Sequence, residues 1–194
     1  MQTSLDKSNG YNSIAEDFMR ARNQLIGPAT VLEWSRTLPP GISILDLGCG
    51  YGEPISTVLM DQGFQLYGVD ASPKMIAAFQ ARFPQAYAVC EPVEESGFFH
   101  RTFDAVLAWG LIFLLSPELQ HTLFQKVTNA LNAGGSFLFT SPKPAQRWYD
   151  SLTGFESVSL GADTYTELLR ENGLTVIGNA IDQGENYYYF ARKL

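Results

Sequence analysis

A short apolar strand that runs directly into a glycine-rich loop most limits what this 194-residue chain can fold into. Residues 44–52 read ILDLGCGYG, with glycine at every second position from Gly48 onwards, and a helical pattern follows. Glycine has no Cβ, so such a loop can turn sharply and let a ligand approach its backbone. The next predicted strand, 64–69, ends at Asp70, where a carboxylate can accept hydrogen bonds from both hydroxyls of a ribose. These features together predict a site for a nucleoside-containing cofactor.

Strand-like and helical segments alternate along the middle of the chain, which predicts an α/β fold with a mostly parallel sheet. Strands are expected at 42–47, 64–69, 86–90, 103–109 and 136–140, and helices at 11–22, 29–37, after Pro54, after Ser72, after Ser116 and at 162–172. Two further strand-like runs, 174–181 and 186–191, flank a turn sequence and predict a C-terminal hairpin. Residues 141–161 show no clear periodicity and are expected to form a long irregular loop.

Composition and charge narrow the function classes. The net charge of −7 and the absence of a Lys/Arg cluster argue against a nucleic-acid partner. The most apolar run, 105–115, is about half of the ~20 residues that a membrane span requires. The N-terminus lacks a signal-peptide pattern, and two cysteines, Cys49 and Cys90, provide neither a disulfide framework nor a zinc motif. A single cytoplasmic domain over 1–194, with no metal and no membrane partner, is therefore expected.

The charges beside the loop bear on which cofactor it holds. A pyrophosphate-binding loop usually reads G-x-G-x-x-G, and Glu53 occupies the sixth position here. Asp46 and Glu53 would repel a pyrophosphate, whereas S-adenosylmethionine carries a cationic sulfonium and a cationic amino group. The loop therefore favours S-adenosylmethionine over NAD. The alternative is an ordinary tight strand-to-helix turn in which Asp46 only caps local backbone.

Four segments carry a family resemblance. ILDLGCGYG, YGVDAS, FDAVLAW and LNAGGSFLF, in this order, resemble the class I S-adenosylmethionine-dependent methyltransferases, in particular their small-molecule branch, which includes quinone-biosynthesis C-methyltransferases. The resemblance covers residues 11–140. It implies a Rossmann-like seven-stranded sheet in the order 3-2-1-4-5-7-6 with strand 7 antiparallel, helices on both faces, and N-terminal helices within residues 1–40 that cover the cofactor site.

The resemblance also implies which residues bind the cofactor. The set is Tyr11, Asp46, Gly48, Cys49, Gly50, Asp70, Ala71, Met75, Pro92, Val93, Glu94, Trp109 and Gly110. Within it, the loop backbone is expected to contact the methionine part, with Asp46 oriented towards the amino group. Asp70 would hold the ribose, 92–94 would read the adenine edge, and 109–110 would line the sulfonium end. Tyr11 and Phe18 match an N-terminal helix that folds over the cofactor.

Two positions depart from the family pattern. Pro92 replaces the usual acidic residue of the adenine loop, and Phe113-Leu114 stands where many relatives carry a Glu-His pair. Methyl transfer from an activated sulfonium depends mainly on positioning, so no general base is obligatory, and the sequence marks no catalytic residue. The two histidines, His100 and His121, are expected to lie on the surface.

The sequence thus predicts methyl transfer from S-adenosylmethionine to a small-molecule acceptor, and it names neither the acceptor nor an oligomeric state. Trp148 and Tyr149 lie in the expected loop 141–161 and are hypothesised to contact the acceptor, because ligands of open α/β sheets bind beyond the carboxyl ends of the strands. Two alternatives stay open. One is a non-catalytic S-adenosylmethionine-binding protein, and the other is a nicotinamide-dependent oxidoreductase.

Overall fold

The structure is a computed structural model that describes residues 6–194. Its helices are α1 (Ala15–Ala21), α2 (Pro28–Ser35), α3 (Ile55–Asp61), α4 (Pro73–Arg82), α5 (Pro117–Ala130) and α6 (Ala162–Glu171). Its strands are β1 (Ser43–Leu47), β2 (Gln65–Asp70), β3 (Tyr87–Cys90), β4 (Phe103–Ala108), β5 (Leu131–Thr140), β6 (Gln146–Tyr149), β7 (Glu156–Ser159), β8 (Leu174–Ile181) and β9 (Tyr187–Lys193). Short 3-10 turns lie at Phe98–His100 and Ile112–Leu114.

Seven strands form one sheet in the order β3-β2-β1-β4-β5-β9-β8. The first five pair in parallel, while β9 is antiparallel to both β5 and β8. The predicted order and the predicted C-terminal hairpin are therefore confirmed. Because the strand order reverses direction between β1 and β4, the connections that follow these two strands run to opposite faces of the sheet, and open α/β sheets bind ligands at such a point.

Helices cover both faces of this sheet, as predicted. On one face, α2, α3 and α4 pack over a core that includes Ile44, Leu66 and Leu138. On the other face, α5 and α6 pack over a core rich in aromatic rings, among them Phe124 and Phe139. Strand β1 is buried throughout, as a central parallel strand covered on both sides should be.

Local capping signals fix where two of the helices begin. The Ser72 hydroxyl accepts the Met75 N–H at 3.2 Å, and Pro73 fills the first position of α4. Ser116 caps α5 in the same way, with Pro117 behind it. Proline costs nothing at this position, because the missing N–H has no partner in the first turn of a helix. Both starts agree with the sequence prediction.

The predicted irregular loop at 141–161 is wrong, because this stretch contains the two-stranded antiparallel sheet β6–β7. Its turn closes on Asp150, whose Oδ1 accepts the N–H groups of Leu152 and Thr153 at 2.8 and 2.9 Å. Strand β7 packs against the turn Ile112–Leu114. The short strands have no alternating pattern of their own, so they depend on these contacts rather than on periodicity.

Smaller differences concern element boundaries and one helix face. The first helix begins at Ala15 rather than at 11, and β5 begins at Leu131 rather than at 136. Helical spacing after Ser116 predicts Leu119 for the core of α5, but Gln120 is fully buried and Leu119 only partly. Burial of the Gln120 amide is tolerated because it donates to two carbonyl groups and accepts the Tyr165 hydroxyl.

Among residues 6–194, no helix is long and apolar enough to cross a membrane.

Candidate cofactor site

One cavity of about 250 Å³ opens at the carboxyl ends of β1, β2 and β4. All thirteen residues that the family resemblance implies for the cofactor line it, from Tyr11 to Gly110. The structure thus brings five separated parts of the chain to one place. Their contact with a cofactor stays a prediction.

The glycine loop forms one wall of the cavity, and two of its glycines have different reasons for lacking a side chain. Gly50, with φ of 53°, faces open space, since no atom lies within 4 Å of where a Cβ would stand. Gly52, with φ of 90°, is covered instead, and a Cβ there would collide with the Phe83 ring. Gly50 therefore leaves room for a ligand, whereas Gly52 leaves room for α4.

Asp70 ends β2 and holds the glycine loop from the side. One carboxylate oxygen accepts the Gly50 N–H at 2.9 Å, and the other accepts the Ser72 N–H at 2.8 Å. Burial raises the pKa of Asp70, and these two backbone donors oppose the rise. Each oxygen keeps a lone pair, so the carboxylate can accept two further hydrogen bonds from the cavity side.

Asp46 lies near the end of β1 with only 3% of its surface exposed. Its Oδ2 accepts the Ser56 hydroxyl of α3 at 2.6 Å. Burial raises the Asp46 pKa to about 7, and the nearby charge of Asp70 adds to the rise while the Ser56 hydroxyl opposes it. A cation that entered the cavity beside Asp46 would favour its ionised form.

Two other acidic groups of the cavity, Glu53 and Glu94, are paired with cations. Glu53 forms an ion pair with Arg82 of α4. Glu94 pairs with Lys7 at 3.2 Å. Because Arg82 neutralises the charge of Glu53, this residue repels a pyrophosphate less than the sequence suggests. The negative potential of the loop therefore depends chiefly on Asp46 and Asp70.

Residues 92–94, which are expected to contact the adenine edge, are anchored by α5. The Lys126 ammonium donates to the carbonyl oxygens of Val93, Glu94 and Ser96 at 2.8 to 2.9 Å. Glu91, the acidic residue directly before Pro92, is exposed and lies outside the cavity lining. The loop thus offers the cavity Pro92, the Val93 backbone and the paired Glu94.

Arg22, which directly follows α1, is a cavity residue that the sequence reasoning missed. Its guanidinium lies 4.2 Å from the centre of the Trp109 ring and 5.6 Å from that of Phe18. Within the described part of the chain, no carboxylate lies within ion-pair distance of it. The group is half-buried, and burial lowers its pKa. An unpaired guanidinium over an aromatic face is suited to bind an anionic group. An Arg at the end of a predicted helix gave no sequence signal for this role.

The N-terminal segment forms another wall of the cavity. The Tyr11 hydroxyl donates to Asp150 of the β6–β7 turn at 3.1 Å, and the Asn9 amide donates to the Leu114 carbonyl. Lys7, Ser8, Asn9, Tyr11, Phe18 and Arg22 line the cavity, whereas residues 23–40 do not. The predicted cover over 1–40 thus involves its first half alone, and residues 1–5 lie outside the described residues.

Trp148 and Tyr149 of β6, the hypothesised acceptor contacts, lie beside the cavity and do not line it. The Trp148 ring packs on Phe113, a lining residue, with 5.5 Å between centroids. Tyr149 is 76% exposed. From the same hairpin, Asp150 does reach the cavity. The hairpin as a whole is therefore placed against the cavity, with Trp148 behind Phe113.

The remaining reactive side chains are distant or inert. His100 and His121 are both exposed, and neither lines the cavity. Cys49 is buried against Gly68, and burial raises the pKa of its thiol well above the ordinary range, which leaves it protonated and unreactive. Among residues 6–194, no group of three or more His, Cys, Asp or Glu side chains is arranged to hold a metal ion.

Part of the chain that builds this cavity is similar to known proteins. Residues 44–135 match the family described as a methyltransferase domain. An uncharacterized methyltransferase of Synechocystis is 29% identical over 111 residues, which cover 57% of this chain and 52% of that protein. The 2-methyl-6-phytyl-1,4-hydroquinone methyltransferase of Synechocystis is 32% identical over 67 residues, which cover 34% of this chain and 21% of that protein. The chain therefore spans about half the length, or less, of these curated relatives.

A solved structure shows the same fold over the whole chain. Magnesium protoporphyrin IX methyltransferase from Synechocystis, crystallised with bound S-adenosylhomocysteine, superposes with a TM-score of 0.78. The match covers 96% of this chain and 98% of that one at 17% identity. The family match lies on the strands and loops that build the cavity. Residues 44–135 are therefore similar to a methyltransferase domain, and the chain shares the fold of this solved methyltransferase.

Proposed function

We propose that the protein transfers a methyl group from S-adenosylmethionine to a small-molecule acceptor. The observation that carries this proposal is the distribution of charge around the cavity. Asp46 and Asp70 lie at the ends of neighbouring strands, and the unpaired Arg22 lies on the opposite wall, over Trp109. This arrangement matches a ligand with an amino group, a ribose and a carboxylate.

Each part of S-adenosylmethionine then has a partner. We place the methionine amino group beside Asp46, the ribose hydroxyls at Asp70 and the methionine carboxylate at Arg22, because each pairing satisfies an otherwise buried or unpaired charge. Adenine would lie between Met75 and the loop at 92–94. The open space over Gly50 lets the methionine part approach the backbone. Methyl transfer from an activated sulfonium needs no obligatory general base, and no described cavity residue is a histidine.

S-adenosylhomocysteine is expected to raise the melting temperature of the protein, because a ligand that binds only the native state stabilises it by mass action. NADH is the matched comparison, since it shares the adenosine part and adds a pyrophosphate that Asp46 and Asp70 would repel. Differential scanning fluorimetry with each ligand at equal concentration measures both effects. A shift with NADH and none with S-adenosylhomocysteine would contradict the proposal and favour an oxidoreductase.

The affinity for S-adenosylhomocysteine is expected to rise as the pH is increased through about 7, where Asp46 ionises. The ligand's ammonium pairs only with the ionised carboxylate, so binding in the lower part of this range must first remove a proton from Asp46. The folded-state pKa lies above that of an unfolded Asp, so the free protein shows the opposite trend. The contribution of Asp46 to the free energy of unfolding falls as the pH rises from about 4 to about 7.

Titration calorimetry between pH 6 and pH 8, in buffers of different ionisation enthalpy, measures the affinity together with the proton release. Asp46→Asn is the control, because the amide cannot ionise and should flatten the pH profile. A pH-independent affinity in the unchanged protein would show that the amino group is held elsewhere.

We further propose that the β6–β7 hairpin borders the acceptor, with Trp148 supporting Phe113 and with Tyr149 available at the rim. Exchange of Trp148 and Tyr149 for Ala is expected to leave S-adenosylhomocysteine affinity within about twofold while abolishing methyl transfer to the acceptor. Leu152→Ala, on the exposed turn of the same hairpin, should preserve both properties. Full turnover by the double variant would show that the two hairpin rings do not contribute to the acceptor site.

A further inference from the structure

The Trp109 indole is held by a chain of hydrogen bonds that leads to the C-terminal hairpin. Its Nε1–H donates to the Tyr188 hydroxyl oxygen at 2.7 Å. The Tyr188 hydroxyl in turn donates to Asp182 Oδ2, also at 2.7 Å. Tyr188 is fully buried on β9, so its hydroxyl has no water to replace either partner. A single oxygen atom thus fixes the direction in which the indole N–H points.

The far end of this series of hydrogen bonds is anchored in the turn between β8 and β9. Asp182 lies in the β8–β9 turn, where its Oδ1 accepts the backbone N–H groups of Gly184 and Asn186 at 2.9 and 3.0 Å. The Asn186 amide also donates to Oδ2 at 3.0 Å. Because the turn itself orients the carboxylate, Tyr188 is tied to the backbone of the hairpin rather than to a mobile side chain.

At the other end of this series of hydrogen bonds, the Trp109 ring supports a cation. Arg22 lies over the Trp109 ring, and Asp182 is close enough to act on its charge. The guanidinium is attracted to the face of the ring, so its position depends on the plane of the indole. A guanidinium stacked in this way keeps its N–H edge free to bind a carboxylate through two parallel hydrogen bonds.

We infer that Tyr188 is a positioning residue for the methionine end of the cofactor. Through Trp109 it sets the plane on which the Arg22 guanidinium rests, and so the place at which the methionine carboxylate binds. This inference rests on the proposed function and adds to it a residue from β9, outside residues 44–135 that match the methyltransferase family. Tyr188 itself does not line the cavity, and it acts only through Trp109.

Two ligands separate a positioning role from a purely structural one. S-adenosylhomocysteine carries the amino-acid end, whereas 5′-methylthioadenosine has the same base, ribose and thioether without it. Tyr188→Phe is expected to lower the affinity for S-adenosylhomocysteine by about fivefold to tenfold, as for a misdirected charge-assisted hydrogen bond. The affinity for 5′-methylthioadenosine should change by less than about twofold. Titration calorimetry measures all four constants.

Tyr189→Phe is the matched control, because the neighbouring Tyr189 hydroxyl is buried and has no hydrogen-bond partner in the described structure. It should leave both affinities unchanged. Arg22→Met removes the cation, and in that background Tyr188→Phe should have no further effect on S-adenosylhomocysteine binding.

Equal weakening of both ligands by Tyr188→Phe would overturn the inference, since it would indicate general damage to the site. An unchanged affinity for S-adenosylhomocysteine would overturn it as well. Failure of the unchanged protein to bind either ligand would contradict the proposed function itself, which is a separate result.

Discussion

Replacing Asp70 with Ala is expected to lower the affinity for S-adenosylhomocysteine by at least about tenfold, because two charge-assisted hydrogen bonds to the ribose are lost. The structure adds a second reason. The same carboxylate holds the N–H groups of Gly50 and Ser72, so the variant also loosens the loop that faces the methionine part. Titration calorimetry with S-adenosylhomocysteine gives the change in affinity.

The stability of the Asp70→Ala variant is expected to change little, and this separates binding from folding. Loss of the two backbone hydrogen bonds is destabilising, but the variant also removes a carboxylate whose pKa is raised by burial. Asp61→Ala is the control, since Asp61 is an exposed carboxylate at the end of α3. An Asp70→Ala variant with full affinity would show that the ribose is held by other groups.

Gly52→Ala is expected to destabilise the fold by about 3 kcal/mol or more, the largest stability effect predicted for this loop. The alanine would have to adopt φ of 90°, and its Cβ would collide with the Phe83 ring, which packs on Phe79. Urea denaturation measures the free energy of unfolding.

Gly63→Ala is the matched control for this prediction, because Gly63 has φ of 80° but no atom within 4 Å of the Cβ position. It carries the backbone strain without the collision and should cost about 1 to 2 kcal/mol. Equal losses in the two variants would show that α4 moves aside for the added methyl group without cost.

Much of the sheet could be predicted from the sequence because its signals are local. The strand–glycine loop–Asp70 sequence, the capping residue Ser72 and the terminal hairpin each depend on neighbours in the chain. The candidate cofactor residues follow from the same segments, since parallel strands bring their carboxyl ends to one edge. A family resemblance then supplied the positions that spacing alone does not fix, such as Trp109.

The features that escaped prediction depend on partners far away in the sequence. Strand β6 is stabilised by its pairing with β7 and by packing on the turn after β4. Neither contact produces a periodic pattern of apolar residues in the sequence of β6. Gln120 is buried because a carbonyl of β7 and a hydroxyl of α6 meet its amide. Arg22 becomes a site residue only because the N-terminal segment folds back over Trp109.

The N-terminal wall also has a consequence for how fast ligands exchange. Its contacts with the rest of the cavity include the Lys7–Glu94 ion pair, hydrogen bonds from Asn9 and Tyr11, and one small apolar cluster in which Phe18 packs beside Tyr51. Local opening of such a segment costs far less than disrupting the sheet that carries Asp46 and Asp70. Under the proposed function, we expect product to leave when this wall detaches, so that the lifetime of the closed state sets an upper limit on turnover. Because added salt screens the exposed Lys7 pair, it should shorten that lifetime.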